Sequence, residues 1–248
     1  ALFGPLSIWT NLLTNAFFSA RLALGVVLLG RYLMSLTAGF WAAALVLLTP
    51  PAVASTWYFN LDLPLAAVTI MGVYLLLRCQ GFTSWAPTLA FAAWSVLGLY
   101  TKPTYGMYLA VPCLVALVQG LARTKARSRV VLRAALSAGF GGVLYVLLVQ
   151  ENLFNLWMEL RSHFEGLPEE AVHLELIKAY TLEWFISVPA MAARGYPWPL
   201  LLVVLPGLIM AHNPRARLPG RGILLAFFWA SVIALTLLTN RMERYLLP

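Results

Sequence analysis

The chain is 248 residues long, 61% hydrophobic and only 10% charged, with a formal net charge of +8 and a mean hydropathy of +0.81. A soluble domain carries about 25% charged residues, so these values exclude one and point to an all-α, polytopic membrane helix bundle forming a single domain over 1–248. The positive charge does not indicate a nucleic-acid partner. Arg31, Arg78, Arg123, Lys125, Arg127, Arg129, Arg133, Arg215, Arg217 and Arg221 fall in short connections between apolar runs, the pattern of cytoplasmic loops lying beside anionic lipid.

A bilayer core of roughly 30 Å takes about 20 apolar residues per helix, and fewer where neighbouring helices or interfacial aromatics assist. Apolar runs near 20–36, 38–56, 61–78, 85–101, 103–121, 131–150, 196–212 and 222–239 predict about eight crossings. Residues 1–19 contain no Asp or Glu and are expected to form an interfacial segment leading into the first span. The corners at 58–65 (YFNLDLPL) and 100–105 (YTKPTY), the stretch 151–195 and the exit at 240–248 (NRMERYLLP) then share one face. All nine acids, Asp62, Glu151, Glu159, Glu165, Glu169, Glu170, Glu175, Glu183 and Glu243, lie on that face. Within 151–195, ENLFNLWMELRSHF and HLELIKAYTLEWF alternate apolar and polar residues at helical spacing, predicting helices that lie on the membrane. The expected setting is the cell (inner) membrane, with the acidic face periplasmic or extracellular. Cys79 and Cys113 have no spaced partners and read as packing residues. The chain starts at Ala1 and stops at Pro248, from which the expectation is a piece of a longer protein, inactive alone, lacking a first helix and a first outer loop.

Asp62 stands two residues before Pro64 at the start of an apolar run. A carboxylate there caps a helix, whose first N–H groups and dipole favour negative charge. The same carboxylate at a membrane surface also suits a general base, a metal ligand or a sugar anchor. Lys102, between two apolar runs and followed by Pro103, either snorkels to the interface or meets a lipid phosphate. Arg241, Arg244 and Tyr245 form a third such group at the last helix exit. His163 lies four residues from Glu159, a spacing that puts both on one helical face, and the pair suits either a salt bridge or a divalent ion.

The runs GRYLMSLTAGFWAAALVLLTPPAVASTWYFNLDLPLAAVTIMGVYLLLR, LGLYTKPTYGMYLAVP and ERYLLP resemble the polyprenyl-phosphate-sugar glycosyltransferases of the GT-C fold. The closer likeness is to the branch of protein O-mannosyltransferases and the lipid A aminoarabinose transferase, and it covers about 20–120 and 222–248. It implies an outer-face acid opening a helix, matched by Asp62. It further implies a lysine on the lipid phosphate, matched by Lys102 in YTKPT, and a basic-aromatic helix exit, matched by Arg244 and Tyr245 with Arg241 behind them. The acidic first outer loop of that family has no counterpart in residues 1–19. The implied activity is transfer of a sugar from a polyprenyl-phosphate donor to a hydroxyl of a lipid, glycan or protein acceptor. A divalent metal ion at Asp62 and His163 would share the work. The competing reading is a secondary transporter or lipid flippase, favoured by Pro50-Pro51 and Pro112 as helix breakers but not by any repeat.

Overall fold

The computed structural model of the protein describes residues 8–49, 52–53, 62–102, 104–165, 209, 212–213 and 219–242; at residue 8, 149–165 and 232–242 it describes the backbone alone. The described residues form an all-helical bundle with no strand among them. Among the described residues three helical stretches, Trp9–Leu33, Tyr105–Arg123 and Arg127–Leu148, are long and apolar enough to cross a membrane.

Helix α1 runs over Ile8–Leu33 and turns through Met34 and Ser35 into α2, Leu36–Leu47. Ser35 caps α2, its hydroxyl accepting from the Ala38 N–H at 3.1 Å. The two helices cross where Gly30 meets Gly39, backbone against backbone, leaving no room for a Cβ. Helix α3, Asp62–Arg78, begins with Asp62 in its first turn, where the ring of Pro64 is tolerated because that N–H has no helical partner. A tight turn follows, with Gln80, Gly81 and Phe82 all at positive φ. Helix α4 spans Trp85–Thr101. It stops because a residue preceding proline is driven out of helical φ/ψ, and Lys102 is extended at φ −162°, ψ 127°. Helix α5 is Tyr105–Arg123, α6 is Arg127–Glu165 and α7 is Arg221–Met242.

Contacts between helices set their relative levels. Tyr32 Oη donates to Leu77 O, 45 residues on, and a Cβ on Gly25 would touch Ile70 at the same offset. So α1 and α3 run parallel, and Arg21 lies level with Ala66. Arg133 stacks over Trp85 and Gly141 faces Ala92, so α6 runs parallel to α4 and residue 150 is level with Lys102. Gly222 abuts Gln119, so α7 runs back antiparallel to α5. One end of the bundle therefore gathers Arg31, Arg78 and Arg123 from helix termini together with the start of α6. The other end holds Asp62, Lys102 and the far part of α6.

Three expectations change. Helix α1 begins at Ile8, so most of the segment expected to lie on the surface ahead of the first span is the first turns of α1. The apolar positions of IWTNLLTNAFF continue the helix without a breaker. Likewise Glu151–Glu165 continues α6 as one helix of 39 residues, about 58 Å long, and is not a separate surface helix. No Gly or Pro interrupts VLLVQENLFNLW, so nothing in that run ends the helix. Within the span expected over 38–56, the described helix α2 starts two residues earlier and runs only over Leu36–Leu47. The expected span 196–212 and helix 173–185 lie outside the described residues, apart from residues 209 and 212.

Candidate functional site

Asp62 and Lys102 come from α3 and from the corner after α4, and their side chains meet. Lys102 Nζ donates to Asp62 Oδ1 at 2.9 Å. Both remain open to the surroundings, the lysine side chain 29% and the aspartate 49% exposed. The carboxylate sits where α3 has unpaired N–H groups and the positive end of its dipole. The ammonium leaves an extended backbone whose own N–H donates to Gly98 O at 3.1 Å.

The pair is held by packing one turn deeper. Tyr105, 2% exposed, fills a slot between α3 and α4 that exists because positions 72 and 98 are glycine. A Cβ at Gly98 would land on its ring, and one at Gly72 would come within 2.5 Å of its hydroxyl. Ser95 Oγ donates to Phe91 O at 2.8 Å, so at the 3.3 Å Ser95–Tyr105 contact the tyrosine hydroxyl donates. Trp94 Nε1 donates to Val68 O at 2.8 Å, tying α4 to α3. These contacts fix the register that brings residue 102 to residue 62. Tyr108, the next turn of α5, lies within electrostatic reach of the Asp62 carboxylate. Thr104 Oγ1 is buried with no hydrogen-bond partner among the described residues.

Chemically, the arrangement joins a proton acceptor to a cation with three N–H donors at a helix corner. In the resting pair each neutralises the other. A phosphate anion would compete with the carboxylate for the ammonium and leave the carboxylate free to accept a proton.

The other residues singled out in the sequence are placed only in part. Helix α7 runs 22 residues from Arg221 to Met242, about 33 Å, which carries the backbone of Arg241 to the Asp62 end. Arg244 and Tyr245 lie outside the described residues. His163 stands on α6 past the level of Lys102, one turn from Glu159, and of the two residues the backbone alone is described. Among the described residues no group of three His, Cys, Asp or Glu is placed to hold a metal ion. The charge that contacts Asp62 among the described residues is an ammonium, which opposes a cation there. Cys79 is buried in the turn after α3 and donates to Leu75 O at 3.1 Å, and Cys113 is half-buried within α5; both pack.

One residue goes beyond the expected set. Because α1 begins at Ile8, Arg21 stands well inside the helix and not at its start, with its guanidinium over the rings of Phe17 and Trp94 at 4.6 and 5.6 Å. The signal was available as the sole charge in a run of more than twenty residues, ahead of Arg31. No family model, curated protein or solved structure matches the chain.

Proposed function

We propose that the protein is a membrane glycosyltransferase that moves a sugar from a polyprenyl-phosphate donor to an acceptor hydroxyl. The observation that carries this reading is the 2.9 Å Asp62–Lys102 contact. It joins a potential base to a potential phosphate ligand at a helix corner, from two motifs 40 residues apart. In this reading Lys102 takes the donor phosphate, with Arg241 of α7 and Arg244 and Tyr245, which follow it in sequence, completing the phosphate ligands. Asp62 accepts the acceptor's proton while its oxygen attacks the anomeric carbon. The bond from that carbon to the phosphate oxygen breaks with oxocarbenium character, and polyprenyl phosphate leaves with its charge met by the cations.

The same proposal assigns about eight crossings, the basic end to the cytoplasm by the positive-inside rule, and the Asp62 end to the outer face of the cell membrane. A lipid, glycan or protein acceptor would meet the donor there. The transporter reading asks for ionisable groups near the bilayer midplane, whereas Asp62 and Lys102 stand at helix ends.

The test is transfer from a synthetic polyprenyl-phosphate sugar by the protein in liposomes. Asp62→Asn should abolish transfer in a folded protein. Lys102→Ala should lower efficiency roughly 10- to 150-fold, the equivalent of one charge-assisted contact of about 1.5–3 kcal/mol. Normal turnover by Asp62→Asn would leave that residue a helix cap. A divalent ion bound with the help of His163 belongs to the same proposal, and loss of activity on chelation, restored by added metal, is its expected sign.

A further inference from the structure

We infer that Arg21, framed by Phe17 and Trp94, binds the phosphoryl anion of a lipid lying against α1. This position is separate from the Asp62–Lys102 pair; it rests on the membrane placement proposed above but not on the transfer chemistry.

The depth comes first. Arg21 is level with Ala66, so it lies one helical turn, about 6 Å, deeper in the bundle than Asp62. With the Asp62 end at the outer membrane surface, as proposed above, that depth is the boundary zone between hydrocarbon and lipid headgroups, whose two layers add roughly 10–15 Å to the hydrocarbon thickness. The side of α1 that carries Arg21 also presents Phe17 and Leu24, one turn to either side and each 52% exposed. An exposed apolar stripe on a membrane helix is met by lipid chains, so a ligand reaching Arg21 along this face arrives from the bilayer.

Electrostatics then selects the headgroup. A guanidinium inside a membrane helix is costly by about 2.5–3.5 kcal/mol at the bilayer centre on insertion scales, and such groups ordinarily pair. Among the described residues Arg21 makes no ion pair and no hydrogen bond, and the carboxylate nearest in level, Asp62, is held by Lys102. What Arg21 does have is two aromatic faces. The rings engage the positive charge and accept none of its N–H groups in a conventional hydrogen bond, so the N–H donors stay available to an anion. Trp94 cannot swing away readily, because its indole N–H is bonded to Val68 O. A guanidinium held beside this anchored indole can present its planar fork of donors to two oxygens of one phosphoryl group. The chains would continue down the α1 face past Leu24, and the aromatic frame would sit at headgroup depth, where tryptophan is favoured.

The experiment is lipid retention by the intact protein, measured by native mass spectrometry from mixed micelles. The ligands are phosphatidylglycerol, a polyprenyl monophosphate and neutral diacylglycerol, with inorganic phosphate as competitor. Arg21→Met keeps an apolar stem of similar length and removes the charge. It should lower retention of phosphoryl lipids about 10-fold or more, leave diacylglycerol unchanged, and not lower the melting temperature. Trp94→Phe, which keeps a ring but loses the anchoring N–H, should produce a smaller loss of the same kind. Equal loss of both phosphoryl lipids identifies any lipid phosphate as the ligand, and loss of the polyprenyl species alone identifies the polyprenyl carrier as its source. Unchanged phosphoryl-lipid retention in a folded Arg21→Met protein would overturn the inference, as would an equal loss of diacylglycerol. Displacement by inorganic phosphate at the concentration of the lipid would overturn the lipid assignment.

Discussion

Asp62 and Lys102 form an ion pair that is close and yet open, and the two properties have different consequences. At 2.9 Å the contact has ideal hydrogen-bond geometry. With both side chains partly exposed, the charges remain well screened, and exposed pairs contribute only about 0–1 kcal/mol. The pair therefore adds little to stability for groups aligned so well. A double-mutant cycle with Asp62→Asn and Lys102→Met, read by thermal denaturation in detergent, should return a coupling below about 1 kcal/mol. A coupling of 2 kcal/mol or more would make the pair a structural clasp. The small value is also the useful one for binding, because a phosphate that displaces the carboxylate from Lys102 then gives up little. In the proposed transfer Asp62 would combine two roles, a negative charge in the first turn of α3 and the proton acceptor, at one position.

At the level of helices, the site depends on glycines that let backbones touch. Gly81, at φ +72°, and Gly120 meet with no space for a side chain, and a Cβ at Gly120 would collide with Gly81 O. Because the obstacle is backbone, Gly120→Ala cannot be absorbed by a rotamer change, and overpacking of this kind costs about 1–3 kcal/mol. Gly98→Ala should also destabilise, since its methyl would strike the buried ring of Tyr105, and it should additionally disturb the Lys102 corner one turn away. Gly139→Ala is the control. A Cβ there meets nothing within 4 Å, so the change should be neutral or stabilising by up to about 1 kcal/mol. Melting temperatures of the three variants order these effects, and a destabilised Gly139→Ala beside a neutral Gly120→Ala would contradict this packing. The sequence showed most of these elements in advance. Apolar runs at 61–78, 85–101 and 103–121 correspond within two residues to α3, α4 and α5, because Pro64, Ser84 and the K-P corner mark their limits. The Asp62 and Lys102 motifs were visible as charges at helix ends. Their direct contact was not, because it depends on the α3–α4 register set by Tyr105, Gly72 and Gly98, which no local pattern encodes. The true start of α1 was missed for a related reason, since TNLLTNAFFS is polar enough to resemble a surface segment until burial of Asn15, 1% exposed, is seen.

Across the whole molecule the described charges divide between two ends. Helix α6 makes the division testable, since it starts at Arg127 among the basic residues and reaches Glu165 as one helix of 39 residues. At about 58 Å it exceeds a hydrocarbon core of about 30 Å by several turns, so a crossing α6 must put its two ends in different compartments. The native thiols interfere little with cysteine labelling. Burial pushes the Cys79 thiol up to about 12, so at pH 7.4 it is neutral and a poor nucleophile, and Cys113 lies within the apolar length of α5. Single substitutions Lys125→Cys and Arg217→Cys should then react with an impermeant maleimide only after the cytoplasmic side is opened, as the positive-inside rule requires. Glu165→Cys and Glu175→Cys should react from outside in intact cells. Labelling of Glu165→Cys from the same side as Lys125→Cys would mean that α6 does not cross. Asp62 and Lys102 would then lose the outer-face location on which the transfer chemistry is built.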